Sequence, residues 1–295
     1  MQKGKRSAAP DVLQWAPLSL LCVAACAHLP SGRDPEPFPE PFQIIAHRGA
    51  SAYAPENTLP AFRLARELGA VEVELDVQLT ADDQVILYHD ATLDKKTAHT
   101  GRIREYTAAE LADVDIGSWF DREHPEVEQD FIGTRLDLLS ALFGEMGREL
   151  FYHVELKDAE PDLPARTLDV IDRFALSDRV LLTSFHFDQL ERVRALASEL
   201  PTCLLIARAR QREGSIDDWI DRAVEAGLSE VGVASRELTR EQVGHARRHG
   251  LWIRAWSIKN LDDMEHAIAV GANGMTLNWP EKLIARQREH AESLR

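Results

Sequence analysis

Acidic residues alternate with apolar ones in the stretch VEVELDVQ, residues 71–78. An alternation of period two is typical of a β-strand, so Glu74 and Asp76 are expected on one face and the apolar side chains on the other. Two carboxylates at this spacing repel each other and lose hydration when they are buried. A hard cation bound through oxygen would offset that cost, as would an inward Arg or Lys, and this strand alone leaves both interpretations open.

A third carboxylate, Glu155, lies near the end of the stretch FYHVELK and shares a strand face with Lys157. Three carboxylates favour a Mg²⁺ or Ca²⁺ site that keeps positions for water and a substrate phosphate. Lys157 would then place a positive charge near a phosphate oxygen. His153 is on the same face but lies earlier in the strand, and we expect it to form hydrogen bonds in the core.

Histidine ends two apolar stretches, His47 after FQIIA and His89 after QVILY. A side chain that titrates near neutrality can accept a proton from a nucleophile and donate one to a leaving group. A single His at a strand end is more often structural. Two of them beside three acids, a Lys and Arg48 are hard to explain by packing, and they predict acid–base catalysis at a phosphate.

The elements that must position these residues alternate along the chain. Segments of helical periodicity, several of which end at Gly, separate most of eight apolar stretches rich in β-branched residues. These predicted strands are 42–47, 71–78, 151–157, 179–185, 202–207, 230–235, 252–257 and 274–278. Eight βα units in about 250 residues predict a TIM (β/α)8 barrel. The alternative, a doubly wound open sheet, would usually carry a Gly-rich nucleotide motif, and the sequence has none.

The interval 79–150 is too long for a simple βα connection. It separates the second and third predicted barrel strands, and loops that follow barrel strands lie at the C-terminal mouth. We therefore expect a small insertion at the mouth, beside the candidate catalytic residues.

Composition limits the class of partner. Hydrophobic residues make up 44% of the chain, which is typical of a globular protein with a substantial core. The formal net charge of −15 argues against nucleic acid, because an acidic surface repels the phosphate backbone. A small phosphate-bearing substrate could still bind where a metal ion or local cations reverse the charge.

Cys203, within an apolar run, is expected to be a buried thiol, and no disulfide framework is implied.

The N-terminus has the composition of an export signal over residues 1–25, with basic residues followed by an apolar run too short to span a bilayer. The run ends in VAAC, which resembles a bacterial lipobox and predicts a lipid anchor at Cys26 on a periplasm-facing membrane lipoprotein. A plain secretory signal, giving a periplasmic or secreted protein, is the alternative. Pro and acidic residues over 26–41 predict an extended tether, so the folded domain is expected over 42–295.

The stretch AHRGASAYAPENTLPAF (residues 46–62), followed by the strand with Glu74 and Asp76 and by the His-Asp pair at 89–90, resembles the glycerophosphodiester phosphodiesterase family. The resemblance continues through YTAAELADVDIGSWF, HVELK, LLTSF, IRAWSI and GANGMTLNWPEKL, and it covers residues 43–284. The combination is specific, unlike a single short motif.

The resemblance implies a TIM barrel that hydrolyses glycerophosphodiesters to sn-glycerol 3-phosphate and an alcohol with a divalent metal, Ca²⁺ or Mg²⁺, through a cyclic phosphate. It also implies a role for each matching residue. His47 and His89 would be the acid–base pair, Glu74, Asp76 and Glu155 the metal ligands, Arg48 and Lys157 the phosphate contacts, and Trp256 a wall for the glycerol or alcohol. Glu56 would help to hold the site, and Asn57 would cap a helix.

The sequence departs from the family pattern at three places: LDLLS at 136–140, Lys259, and Leu277 with Asn278. We expect Lys259 and Asn278 to influence which alcohol is accepted, and Arg254 and Tyr53 are further candidates for contacts at the rim.

Two rival functions remain open at this point. A phosphodiesterase acting on intact phospholipid would need an exposed apolar rim, for which the insertion offers Ile116, Trp119 and Phe120. A non-catalytic lipoprotein that binds glycerophosphoryl groups would have to keep costly charges without using them.

Overall fold

Eight parallel strands at the predicted positions form a closed barrel in the computed structural model, which describes residues 38, 41–207 and 213–295. The strands are β1 (Gln43–His47), β2 (Glu72–Leu79), β3 (Val85–Leu87), β4 (Phe151–Leu156), β5 (Val180–Ser184), β6 (Thr202–Ile206), β7 (Glu230–Ala234), β8 (Trp252–Trp256) and β9 (Gly274–Leu277). β1 pairs with both β2 and β9, which closes the barrel, while β3 lies outside it and pairs antiparallel with β2. The predicted TIM barrel is confirmed.

Helices cover the outer face of the barrel, and local signals set where several of them begin and end. The helices are α1 (Leu59–Glu67), α2 (Ala108–Leu111), α3 (Gly117–Glu123), α4 (Leu139–Met146), α5 (Leu163–Arg173), α6 (Phe187–Leu196), α7 (Ile216–Glu225), α8 (Arg240–Arg248), α9 (Leu261–Val270) and α10 (Pro280–Ser293). Ser215 and Thr239 close capping boxes at α7 and α8, and Gly271 ends α9 in the left-handed conformation.

The alternation in β2 divides its side chains as predicted. Val73 and Leu75 are fully buried in the apolar cluster that also contains Phe62 of α1. Because successive side chains in a strand point to opposite faces, Glu74 and Asp76 point into the barrel. Burial of the apolar face against the helices therefore forces the acids inward, where the neighbouring strands must supply partners for them.

Four polar side chains fill the barrel interior below the mouth, and we call them the inner polar layer: Glu72, His153, Glu230 and Arg254. His153 lies 2.8 Å from Glu72 Oε2 through Nε2 and 2.9 Å from Arg254 Nη1 through Nδ1. Arg254 also pairs with Glu230 at 2.9 Å. The predicted core hydrogen-bonding role of His153 is confirmed. Arg254, a candidate rim contact, lies lower than expected: its side chain is buried within the barrel, where it lines the bottom of the cavity that opens at the mouth.

The predicted insertion is present between β2 and β4, and it carries its own apolar cluster. Ile103, Leu111 and Ile116 pack together there. α4, at the end of the interval 79–150, packs instead with the core of the barrel, since Phe143 contacts Tyr152 of β4 with ring centroids 4.8 Å apart. The part that lies outside the barrel framework is therefore shorter than the whole interval.

The signal peptide at 1–25, Cys26 and most of the tether at 26–41 lie outside the described residues. Phe38 is described, and its ring is buried against Phe42 at 5.0 Å and His290 at 5.3 Å. The folded part therefore begins earlier than the predicted Phe42. Cys203 is a buried free thiol, as expected. Among the described residues, the helices lack the combined length and apolar character that a bilayer crossing requires.

Candidate active site

Three carboxylates meet at the C-terminal ends of β2 and β4. Asp76 is registered beside Glu155 on the neighbouring strand, and Glu74 lies one inward position earlier on β2. Oxygen atoms of the three groups lie within 4.8 Å of one another, and all three side chains are buried. Burial and the carboxylate of Asp76 raise the pKa of Glu155 to about 7 and hold that of Glu74 well above its usual range. The surroundings therefore do not stabilise negative charge on all three carboxylates at once.

Two cations contact this cluster from the loops that follow the strands. Arg48 Nε lies 3.0 Å from Asp76 Oδ2, and Lys157 Nζ lies 2.8 Å from Glu155 Oε1 and 3.5 Å from Asp76 Oδ1. Burial opposes ionisation of Asp76, but Lys157 and Arg48 outweigh it and hold the pKa of Asp76 well below its usual range. The acidic strand left two interpretations open, a bound cation or an inward Arg or Lys. Both can hold together: Arg48 and Lys157 pair with the carboxylates, and the raised pKa of Glu74 shows that the two side chains do not fully compensate the negative charge.

The turn after β1 brings Arg48 and Asn57 onto Asp76. Arg48 has φ +55, and its backbone N–H donates to Glu74 Oε2 at 3.0 Å. Gly49 follows because a Cβ there would lie 2.6 Å from the backbone of Ala61. Asn57 donates its amide to Asp76 Oδ2 at 2.8 Å and accepts from the Asp76 backbone. The expectation that Asn57 caps α1 is wrong: Thr58 is the N-cap, and the Asn57 side chain fixes the Asp76 carboxylate.

His47 stands at the end of β1 beside Glu74, with Nε2 3.8 Å from Glu74 Oε2. Its Nδ1 lies 2.6 Å from Asn278 Oδ1, and because an amide oxygen can only accept, Nδ1 carries the proton. Burial and the neighbouring Arg48 lower the pKa of His47 to about 3. Asn278, expected to influence which alcohol is accepted, lines the mouth and holds the His47 ring so that Nε2 faces the carboxylates.

His89 is tied into a chain of buried ion pairs that sequence reasoning did not find. Its Nδ1 lies 2.7 Å from Asp90 Oδ1, and Asp90 Oδ2 lies 3.0 Å from Lys96 Nζ. Lys96 also donates to Glu56 at 2.6 Å, and Glu56 accepts from Arg48 at 3.0 Å. Lys96 is only 3% exposed and lies 5.1 Å from the Trp119 ring centroid. Adjacency to His89 could have indicated Asp90, whereas no sequence pattern singles out Lys96.

We call the connected charged residues the mouth network: Arg48, Glu56, Glu74, Asp76, Asp90, Lys96, Glu155 and Lys157. Five carboxylates face three cations, so the network would carry two net negative charges with every carboxylate ionised; the raised pKa values of Glu74 and Glu155 reflect this excess. That excess matches one divalent cation.

A cavity of about 320 Å³ opens above the carboxylates, and seven of the eight predicted site residues line it. These seven are His47, Arg48, Glu74, His89, Glu155, Lys157 and Trp256. Asp76, the eighth, lies fully buried and in contact with Arg48 and Lys157. Trp256 packs edge to face on Phe185 at 5.3 Å and forms an apolar wall.

Two further cavities adjoin this one at the mouth. One, of about 1010 Å³, shares His89 and Lys157 with it, and the other, of about 360 Å³, shares His47, Arg48 and Asn278. A bound phosphodiester could therefore extend away from the carboxylates in two directions.

Lys259 also lines the central cavity. Tyr53, a candidate for a rim contact, donates its hydroxyl to Glu281 at 2.6 Å.

Comparison with known proteins agrees with this geometry. The model of the glycerophosphoryl diester phosphodiesterase family matches residues 47–282. A glycerophosphodiester phosphodiesterase of Caldanaerobacter subterraneus is 30% identical over 245 residues, covering 82% of this chain and 96% of the relative. A glycerophosphodiester phosphodiesterase of Bacillus subtilis is 29% identical over 252 residues, covering 82% of this chain and 85% of the relative.

Solved structures share the fold. An Oleispira antarctica phosphodiesterase, in complex with the product sn-glycerol-3-phosphate, aligns with a TM-score of 0.73 at 24% identity, covering 82% of this chain and 95% of that chain. An Agrobacterium tumefaciens glycerophosphodiester phosphodiesterase aligns with a TM-score of 0.69 at 24% identity, covering 83% of this chain and 99% of that chain. The chain therefore belongs to the glycerophosphoryl diester phosphodiesterase family, and it is an enzyme of glycerophosphodiester hydrolysis.

Proposed function

We propose that this member of the glycerophosphoryl diester phosphodiesterase family releases sn-glycerol 3-phosphate and an alcohol through a cyclic phosphate, with a divalent cation at the three carboxylates and with His47 and His89 as the acid–base pair. The observation that carries the proposal is the cluster of Glu74, Asp76 and Glu155 at the floor of a cavity that both histidines line. The Oleispira relative, which holds sn-glycerol-3-phosphate, supports the same product for this chain.

The residues fit a hard divalent cation. All three candidate ligands offer oxygen, which Mg²⁺ and Ca²⁺ prefer. Asp76 Oδ1 is buried and, beyond the 3.5 Å ion pair with Lys157, accepts no hydrogen bond from the described residues. The mouth network has two more carboxylates than cations, and a divalent cation would allow all of them to ionise. When bound, a divalent cation would withdraw charge from the non-bridging phosphate oxygens and so lower the cost of the charge that develops there.

Arg48 and Lys157 would bind the phosphate from the chain itself. Both side chains line the cavity and are held in place by the carboxylates that they pair with. A guanidinium and an ammonium at fixed positions stabilise negative charge without reorganising during the reaction. The Trp256 indole would pack against the uncharged part of the substrate.

The two histidines would transfer the protons. One accepts the proton of the glycerol 2-hydroxyl, whose oxygen attacks phosphorus to form the cyclic phosphate. The other donates its proton to the alcohol oxygen as the bond from phosphorus to that oxygen breaks. Water then opens the ring with the two roles reversed. Because Nδ1 of each ring faces an acceptor, in Asn278 and Asp90, Nε2 is the nitrogen available for these transfers.

The test is release of sn-glycerol 3-phosphate from glycerophosphocholine by the purified chain, before and after chelation and then with added Ca²⁺ or Mg²⁺. We expect chelation to abolish turnover and a cation to restore it. His47→Ala and His89→Ala should each lower kcat by about 10²- to 10⁴-fold, whereas His99→Gln, at an exposed His outside the three cavities, should not. Turnover that is insensitive to chelation, or no turnover of any glycerophosphodiester, would refute the proposal.

The geometry disfavours the phospholipid alternative. Ile116 and Phe120, which could have formed an apolar rim, are each 1% exposed and pack within the insertion. Trp119, the third candidate, is half-buried, packs against the same clusters and lies beside the Lys96 ammonium. Hydrolysis of long-chain phospholipid without hydrolysis of glycerophosphocholine would reverse this choice.

We also propose that the N-terminal segment exports the chain and that a lipid on Cys26 anchors it to a membrane, facing the periplasm. The basic and apolar residues of 1–25 and the VAAC sequence support this. Cys26→Ala should move the full chain from the membrane fraction to the soluble fraction, and an unchanged distribution would contradict the anchor.

A further inference from the structure

Two pairs of metal-ligating side chains face each other on the outer helices, apart from the mouth. Asp217 and Asp221 are one turn apart on α7, and His245 and His249 are one turn apart at the C-terminal half and end of α8. Residues four apart lie on the same face of a helix. Because α7 and α8 contact each other, the acidic pair and the imidazole pair meet across the helix interface.

The four side chains alternate along this interface. His245 Nδ1 lies 2.7 Å from Asp217 Oδ1, and His245 Nε2 lies 2.8 Å from Asp221 Oδ1. The His249 ring follows, with its centroid 5.3 Å from that of His245. Ligand atoms of Asp221, His245 and His249 all lie within 4.8 Å of one another. One ion could therefore contact all three residues after small side-chain rotations.

We propose that Asp221, His245 and His249 form a surface site for a borderline transition metal of the Zn²⁺ class, with Asp217 as a positioning residue. Imidazole nitrogen with one carboxylate oxygen is a common ligand set for Zn²⁺ and unlike the all-oxygen sets of Ca²⁺ and Mg²⁺. In protein metal sites the ligating His usually donates its other ring N–H to a carboxylate. Asp217 already occupies that position on His245 Nδ1.

The competing explanation for this cluster is an ion pair of His245 with the two aspartates, without metal. The position of His249 distinguishes the two explanations. A protonated His245 between two carboxylates would account for Asp217 and Asp221. It would give no role to the His249 imidazole, for which no side-chain hydrogen bond is found within the part of the chain that the structure describes. A metal site uses all four residues, and it explains why the second imidazole lies one turn beyond the first.

The surface site is separate from the catalytic chemistry. Asp217, Asp221, His245 and His249 are absent from the linings of the three described mouth cavities. Asp221 and His249 are exposed, so water or a side chain from another molecule can complete the coordination. Bound metal would join α7 to α8 and stabilise their contact, while turnover at the mouth would be unaffected.

The test is calorimetric titration of Zn²⁺ into the purified chain with Ca²⁺ in excess, so that the hard-ligand site at the mouth is occupied. We expect one Zn²⁺ per chain and a rise in the unfolding temperature. His249→Gln removes a ligand but keeps both ion pairs of His245, and it should weaken Zn²⁺ binding by at least about tenfold. Asp217→Asn, which removes the partner of a ligand, should weaken it by about tenfold.

His99→Gln is the matched control, since it removes an exposed imidazole elsewhere and should leave the Zn²⁺ affinity unchanged. Repeating the titration with Glu155→Gln and with His89→Ala excludes binding at the mouth, where Glu74, Asp76 and Glu155 form one possible metal group and Glu56, His89 and Asp90 another. The surface site should survive both changes. No Zn²⁺ binding by the parent chain, or equal affinity in His249→Gln, would overturn the proposal. Neither result depends on glycerophosphodiester turnover, which His249→Gln should leave intact.

Discussion

The same strands build two buried polar groups in this barrel, and the two differ in how their charges are matched. β2 supplies Glu72 to the inner polar layer and then Glu74 and Asp76 to the mouth network. β4 supplies His153 to the first and Glu155 to the second, and the sheet register places these residues side by side. Depth along the strand, and not the type of strand, therefore separates the two groups.

In the inner polar layer each charged group has its own partner. Arg254 and Glu230 pair at 2.9 Å, and each side chain is about 1% exposed. Arg254 can only donate, so His153 accepts through Nδ1 and donates through Nε2 to Glu72. Glu72 keeps contact with water, since 21% of its side chain is exposed. The layer holds the barrel together without needing a ligand.

In the mouth network the chain leaves negative charge unmatched. Arg48 and Lys157 are shared among three buried carboxylates and hold Asp76 ionised, whereas the pKa of Glu74 is raised by burial, by Asp76 and by Glu155. Such an arrangement costs stability unless a cation or substrate compensates for it, and perturbed carboxylates of this kind cluster at functional sites. Charge balance therefore distinguishes the mouth network from the inner polar layer.

Glu74→Gln gives the largest expected effect and tests the mouth side of the comparison. Loss of one cation ligand should lower kcat/KM by about 10³-fold or more, because bound metal supplies several kcal/mol at about 1.4 kcal/mol per tenfold. When folding raises the pKa of a carboxyl, the ionised carboxylate is less stable in the folded chain than in the unfolded chain. The folded state therefore loses stability as the pH rises above the unfolded pKa. Without metal at neutral pH, the variant should therefore unfold at a higher urea concentration than the parent chain.

The control for Glu74→Gln is the same comparison with Ca²⁺ present, where the parent chain should gain stability and the variant should gain much less. A chelated variant that unfolds more easily than the chelated parent would mean that Glu74 belongs to a balanced group, and the distinction between the layers would fail.

Glu230→Gln makes the same chemical change in the inner polar layer and should have the opposite effect on stability. It leaves the buried Arg254 guanidinium without its carboxylate, and breaking a buried pair costs about 3–5 kcal/mol of unfolding free energy. Urea denaturation measures this loss. The folded variant should keep its turnover within about tenfold. Glu230 itself does not line the described cavities, and Arg254, which lines the central one, keeps its contacts with His153 and Thr183.

Glu289→Gln, on the exposed side of α10, is the matched control for Glu230→Gln and should change the unfolding free energy by less than about 0.5 kcal/mol. If Glu230→Gln and Glu289→Gln had the same unfolding free energy, the pair of Arg254 and Glu230 would not stabilise the inner polar layer.

Sequence periodicity could predict which residues face inward but not how deep they lie. Alternation in β2 and β4 was enough to group Glu74, Asp76 and Glu155, and the closed barrel then brought His47 to them. Arg254 was misplaced at the rim because alternation in β8 gives its face without its height in the barrel. Height depends on the stagger between neighbouring strands, which the pairing of backbone groups fixes.

Contacts made by irregular segments were beyond prediction for a different reason. Asn57 has φ +59 in the turn before α1, so its amide reaches Asp76 while Thr58 caps the helix. Lys96 follows a single turn of 3-10 helix in the insertion, where no hydrophobic period fixes the direction of a side chain. Only the folded chain shows that its ammonium joins Asp90 to Glu56.

Lys96→Met tests whether the mouth network acts as a unit, and its expected effect is intermediate. Asp90 and Glu56 would lose the cation that they share, so the Asp90 carboxylate would hold His89 less firmly. Loss of such a supporting partner should lower kcat by about 10- to 100-fold, with KM changed by only a few-fold.

Lys282→Met is the matched control for Lys96→Met, because it removes the same charge from an exposed position outside the three described cavities. It should reduce kcat by less than about twofold, as expected for a screened surface charge. Equal losses in the two variants would assign the effect to long-range electrostatics instead of to the chain of ion pairs.

Asn278→Ala should have the smallest effect, and it separates two roles for one side chain at the mouth. The bond to His47 Nδ1 is a neutral hydrogen bond, worth about 1 kcal/mol, so its loss should lower kcat by about fivefold. If Asn278 acts only by orienting His47, the proposed proton-transfer group, glycerophosphocholine and glycerophosphoethanolamine should be affected equally. A change in the ratio of kcat/KM between these substrates would instead place Asn278 against the leaving alcohol, and its side chain would then set substrate preference as well as the position of His47.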